Sequence, residues 1–164
     1  MTDALLQSIN DSAITPAIEL LGKRFDSLPA RVLLLAIALQ ESGGTHRVQL
    51  GNGPARGLWQ FEQGGGVRGV LTHKASTGDA VRLCVDRKVT PQQAPAWEAL
   101  AKDDVLAAGF ARLLLFTDPN PLPPMTNPQA GWDYYFRLWR PGKPRPQDWP
   151  ENHKLARNFY GVKV

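Results

Sequence analysis

Arg31-Val32-Leu33-Leu34-Leu35-Ala36-Ile37-Ala38-Leu39-Gln40-Glu41-Ser42-Gly43-Gly44 is the stretch that decides the fold. Nothing polar interrupts it from Val32 to Leu39. Leu and Ala content favours helix over strand, despite the β-branched Val32 and Ile37. A helix without a polar face is buried on every side, so other elements must surround it. Ser27 offers an N-cap, Pro29 suits a first turn, and Gly43-Gly44 ends the helix. Glu41 is the first carboxylate after the apolar run. Burial disfavours its charged form, and the partial negative charge of a helix C-terminus acts in the same direction. A carboxyl group kept protonated in a cleft can give its proton to the leaving oxygen of a glycosidic bond. The structural alternative is a Glu that turns to water where its helix ends.

Before this stretch, residues 4–22 read as a first helix, interrupted near Thr15-Pro16 and stopped by Gly22. Residues 43–66 read as Gly-rich loop and turns, with Gly51-Asn52-Gly53-Pro54 the clearest turn. Short strands are expected there around 47–50 and 57–61. Two short helices follow, over 67–75 and 79–87. A further helix begins near Asp103-Asp104, with a shorter one before it over 95–102. Five prolines between Asp118 and Pro128 exclude helix and inner strand, leaving a stiff, exposed connection. Residues 131–140 form an aromatic helix and 149–160 a last one. The expected fold class is mainly α with minimal β.

At 164 residues, one domain is the natural organisation, and 43% hydrophobic with 21% charged residues excludes wholesale disorder. The net charge of +4 suits an anionic partner, but the cations are scattered and form no nucleic-acid-binding run. Cys84 is the sole cysteine, so no intrachain disulfide forms, and a buried inert thiol is expected. The first eleven residues carry acids and no basic segment, unlike a signal peptide. No apolar run is long enough to span a bilayer, and no membrane insertion is expected. His46, His73 and His153 have no metal-ligand spacing, so neither metal nor cofactor is expected. Gly64-Gly65-Gly66-Val67-Arg68-Gly69 fits a dinucleotide fingerprint on paper, but follows no clear strand.

The second informative segment is Gly57-Leu58-Trp59-Gln60-Phe61. Gln60 can hydrogen-bond sugar hydroxyl or N-acetyl groups, and Trp59 can offer an apolar face to a pyranose. The alternative is that Leu58, Trp59 and Phe61 only cover the core.

Together, Ala38-Leu39-Gln40-Glu41-Ser42 followed by Gly57-Leu58-Trp59-Gln60-Phe61 resembles the soluble lytic transglycosylases and the goose-type lysozymes. Asp104 to Leu114 is similar, more loosely, to the family helix that carries a glycine and then an aromatic-x-x-Leu pattern. The resemblance spans about 28–140, with 118–164 as a Pro-rich and aromatic part packed on it. It implies a lysozyme-like fold and peptidoglycan glycan strands as substrate. It also implies a single catalytic Glu, here Glu41, acting as acid and then as base. The sugar's own C6 hydroxyl attacks, so a 1,6-anhydro product forms and no second carboxylate is needed. Glu62, Asp79 and Asp86 are the candidates should there be one. Ser42, Leu58, Trp59, Gln60, Phe61, Tyr135 and Trp139 are the expected substrate-binding residues.

The family's Tyr-Asn motif, whose Tyr hydrogen-bonds the Glu, is absent. Tyr135 is the preferred stand-in; Trp139 with Arg140-Pro141-Gly142 is the alternative. A monomer is expected, without a specific nucleic-acid partner. It would be cytoplasmic as made, a phage virion part, or released to the wall by another factor. Two other readings stay open: a non-catalytic glycan-binding module, and a structural virion or nucleic-acid-associated protein.

Overall fold

The structure is a computed structural model that describes residues 3–163. Met1, Thr2 and Val164, which belong to the expected single domain and, for the first two, to the acid-bearing N-terminal stretch, lie outside the described residues. Helix α3, Leu28–Ser42, occupies the centre, and its residues from Val32 to Gln40 are all buried. Its start is fixed by the Ser27 hydroxyl, which accepts from Ala30 N at 3.2 Å, with Pro29 in the first turn. Its end is fixed by Gly43, left-handed at φ 62°, whose N–H bonds Leu39 O at 2.9 Å.

The elements around it hide its apolar surface. Helices α1, Asp3–Ile9, and α2, Thr15–Leu21, are joined by a π turn over Asn10–Ile14. The interruption therefore falls before Thr15-Pro16 rather than at it. Pro16 has no N–H to give the preceding turn, and the helix widens so that Thr15 N reaches Asn10 O. Helix α4 covers Arg68–Thr72, α5 covers Thr77–Asp86 and α6 covers Gln93–Leu100. Helix α7, Asp104–Thr117, packs on α2, α3, α4 and α5, and Asp103 caps it by accepting from Leu106 N at 3.0 Å. Helices α8, Pro128–Trp139, and α9, Trp149–Phe159, complete the shell; α9 lies along α3. The result is one mainly helical domain.

Two expectations change. The strands over 47–50 and 57–61 reduce to isolated antiparallel bridges, Val48 with Arg56 and Arg56 with Phe61. The helix expected over 67–75 is shorter, because a π turn over Gln63–Val67 takes up the glycine run. That run enters α4 from a loop, so no strand–turn–helix unit supports a dinucleotide site. The connection after Asp118 is mostly exposed, as expected, but it is anchored to the body of the fold. The Asp118 side chain is 4% exposed and accepts from Arg137 Nε at 2.7 Å, while Leu122 and Met125 pack against the core.

Cys84 is fully buried, which pushes its thiol up to about 11 and leaves it in the unreactive protonated form. Among the described residues no helix is long and apolar enough to cross a membrane. Among them, too, no group of three or more His, Cys, Asp or Glu converges.

Candidate active site

Glu41 is the penultimate residue of α3, the first one beyond the continuously buried stretch Val32 to Gln40. It lines a cleft of about 1510 Å³, larger than the roughly 300–1,000 Å³ usual for small-molecule pockets. Burial pushes its carboxyl up to about 7, against the opposing pull of a Tyr135 hydrogen bond and the positive charge of Arg145. Among the described residues no other carboxylate is a cause of that shift. Of the three candidate second acids, Glu62 lies exposed on the cleft rim. Asp79 is held away from the cleft by Arg24 and Arg82, at 2.6 and 2.9 Å. Asp86 is exposed at the end of α5 and does not line the cleft.

Tyr135 comes from α8, and its Oη donates to Glu41 Oε1. The tyrosine is almost wholly buried, with ring centroids 5.3 Å from Trp132, 5.3 Å from Trp149 and 6.1 Å from Trp139. Burial, followed by the neighbouring Glu41 charge and the hydrogen bond to it, raises the phenol's proton affinity well above its ordinary value. It stays a donor at any working pH. Because Oε1 is occupied by that donor, Oε2 is the oxygen left to carry the Glu41 proton.

The Gly57–Phe61 turn is stitched to α3. Ser42 Oγ lies 3.0 Å from Ala38 O and 2.7 Å from Leu58 O, and accepts from Gly44 N at 3.2 Å. Trp59 Nε1 donates to Leu34 O at 2.8 Å, and Trp139 Nε1 donates to Trp59 O at 2.9 Å. Gly57 is left-handed at φ +80°, and a Cβ there would meet Leu100 O at 2.9 Å. Gly66 leaves room for Phe61, since a Cβ on it would sit 2.4 Å from the Phe61 ring. The glycines therefore let the turn press against the core.

These contacts correct part of the expected substrate surface. Leu58 and Trp59, 1% and 0% exposed, belong to the core and present no face to a sugar. Ser42 borders the cleft but is buried and spends its hydroxyl on the backbone. Phe61 is buried but borders the cleft, packing edge-on to Trp139 at 5.8 Å. Gln60 and Trp139 are half-buried and line the cleft. Gln60 holds a left-handed backbone, φ 50°, and its Nε2 bonds Gly57 O at 2.9 Å. Trp139 stacks parallel to Tyr135 and is not the group that touches Glu41.

The structure brings in residues that sequence reasoning overlooked. Gln40 is 2% exposed; its Nε2 donates to Arg145 O at 2.9 Å, and its Oε1 accepts from Asn152 Nδ2 at 2.9 Å. Arg145 returns the contact by donating to Gln40 O. The signal was a lone amide in an apolar helix, since a buried amide needs partners. His46 sits exposed on the cleft rim. His73 accepts from Ala75 N at 3.0 Å within a turn, and His153 is buried against Trp149.

No family model, curated protein or solved structure matches this chain.

Proposed function

We propose that this protein cleaves the β-1,4 glycan strand of peptidoglycan in the manner of a lytic transglycosylase, with Glu41 as general acid and then general base. The observation that carries the reading is the Glu41 carboxyl, raised to about 7 in a large cleft with Tyr135 donating to it. A general acid works best when its pKa lies near the operating pH. In the first step Oε2 of Glu41 gives its proton to the glycosidic oxygen as the bond to C1 breaks. In the second, the resulting carboxylate takes the proton of the C6 hydroxyl, whose oxygen closes on C1. The proton inventory balances, water is not consumed, and one carboxylate suffices. That no acid among the described residues figures in the shift of Glu41 fits this better than a two-carboxylate hydrolysis. A lysozyme-like kinship rests on the order of the two motifs and on their joining through Ser42 and Leu58.

The test is incubation of purified peptidoglycan with wild-type and Glu41→Gln chains, followed by mass spectrometry of the released fragments. Fragments with 1,6-anhydro ends from wild type alone support the proposal. Hydrolysed reducing ends overturn the transglycosylase step. Equal release by both chains removes Glu41 from the mechanism, and binding without release favours the glycan-binding module.

A further inference from the structure

The segment between α8 and α9 begins Arg140-Pro141-Gly142-Lys143-Pro144-Arg145-Pro146, and three prolines stiffen it. It lines the cleft, yet it is not free. Arg145 donates through Nη2 to the main-chain oxygen of Gln40, and Gln40 donates back to the main-chain oxygen of Arg145. Asn152, in the first turn of α9, holds Gln40 from the other side at 2.9 Å. The loop is thereby strapped across the last turn of α3, one residue before Glu41.

The strap places a permanent cation at the C-terminal end of α3. That end carries the partial negative charge of the helix, which a guanidinium offsets. Arg145 keeps its aqueous side open, with a half-exposed side chain and Asp148 at 3.7 Å as its ion-pair partner. The other charged or titratable side chains near the cleft are His46, Glu62, Arg140, Lys143, Asp148 and Glu151. Arg137 is committed to Asp118, and Arg68 lies on α4. Arg145 alone among these charged groups acts appreciably on Glu41.

We propose that Arg145 is a positioning residue for Glu41: strapped to α3 by Gln40, it supplies the positive charge that receives the carboxylate formed when Glu41 releases its proton. The role in turnover rests on the proposed glycan cleavage; the electrostatic link does not. Tyr135 and Arg145 then divide the work. The phenol fixes one carboxyl oxygen, and the guanidinium balances the charge that appears as the reaction proceeds. Without Arg145, the partial burial of Glu41 would hold its proton more tightly and make it a poorer acid.

The experiment is a carbon-detected NMR titration of the Glu41 carboxyl in wild type, Arg145→Gln and Arg145→Lys, with the pH profile of kcat beside it. Arg145→Gln should move the Glu41 midpoint upward by about one pH unit, the lower end of what a cation beside a carboxylate does. Arg145→Lys keeps the charge and should hold the midpoint within a few tenths of wild type. The alkaline limb of kcat should move up with the midpoint in Arg145→Gln, and kcat should fall about tenfold, the rate equivalent of that lost stabilisation. An unmoved midpoint in Arg145→Gln overturns the proposal, as does an equal rise in Arg145→Lys. If wild type releases nothing from peptidoglycan, the proposed reaction falls while the titration still decides the role of Arg145.

Discussion

Tyr135 Oη donates to Glu41 Oε1, joining two residues 94 positions apart across the α3–α8 junction. A donor on the carboxylate favours its ionised form, so this bond holds the Glu41 proton less tightly than burial alone would. Tyr135→Phe keeps the ring among Trp132, Trp139 and Trp149 and deletes only the hydroxyl. Glu41 should then titrate higher than about 7. If the proposed reaction holds, turnover of peptidoglycan should fall about 10- to 100-fold, at the lower end of what a positioned acid–base group contributes. NMR titration and fragment release measure the two effects. Wild-type turnover in Tyr135→Phe would remove the phenol from the site.

Glu41 also makes stability depend on pH. Its folded-state affinity for the proton is raised, from 4.5 to about 7. For an acid so shifted, the favourable contribution is complete below the unfolded value and is lost as pH rises through the folded one. The loss by pH 8 is on the order of 3 kcal/mol. Glu41→Gln cannot ionise and still offers Tyr135 an oxygen. It should match wild type in denaturant melts at pH 4 and exceed it by about 2–3 kcal/mol at pH 8. Equal stability at both pH values would show that the carboxyl is not desolvated.

The central helix was legible because its signal is local: an apolar run between a Ser cap and a glycine stop. Glu41 was legible for the same reason, as the first charge beyond that run. The partner Tyr135 was reached through resemblance, and Trp139 stayed a rival because adjacent turns of one aromatic helix look alike in sequence. Trp59 misled, since an aromatic residue in a Gly-rich loop reads equally as cleft wall or as core. Burial beneath the loop decided it, with Leu34 O taking its N–H. The Gln40–Arg145–Asn152 strap was not legible. It depends on side chains more than a hundred positions apart, and no local pattern encodes such a closure.

Trp59 therefore bears on stability before it bears on substrate. Trp59→Ala should cost about 3–5 kcal/mol, as for other buried aromatic residues cut to Ala. Trp59→Phe fills most of the space but gives up the indole bond to Leu34 O, which as a carbonyl inside α3 still accepts within the helix, and should cost about 0.5–1.5 kcal/mol. In Trp59→Phe the Michaelis constant for peptidoglycan fragments should stay near the wild-type value, because the ring does not reach the cleft. A marked rise in that constant with unchanged stability would restore the sugar-stacking role. Chemical denaturation and steady-state kinetics separate the two.

Gly57 tests whether the turn below the cleft is as constrained as its geometry implies. Its φ of +80° is a conformation that L side chains rarely adopt, and a Cβ would meet Leu100 O at 2.9 Å and Ala107 Cβ at 3.3 Å. Leu100 O is backbone at the end of α6, and Ala107 belongs to the buried face of α7, so neither neighbour is a flexible side-chain tip that can swing aside. Gly57→Ala should destabilise the fold by about 1–3 kcal/mol from the strained backbone, with the contact adding to it. Ser42 Oγ binds Leu58 O in the same turn, so displacement of Gly57 also pulls on the residue after Glu41. Turnover should drop further than stability alone explains when the variant is assayed well below its melting temperature. A Gly57→Ala chain as stable as wild type would mean that the turn relaxes freely, and that Gly57 is dispensable to the placement of Glu41.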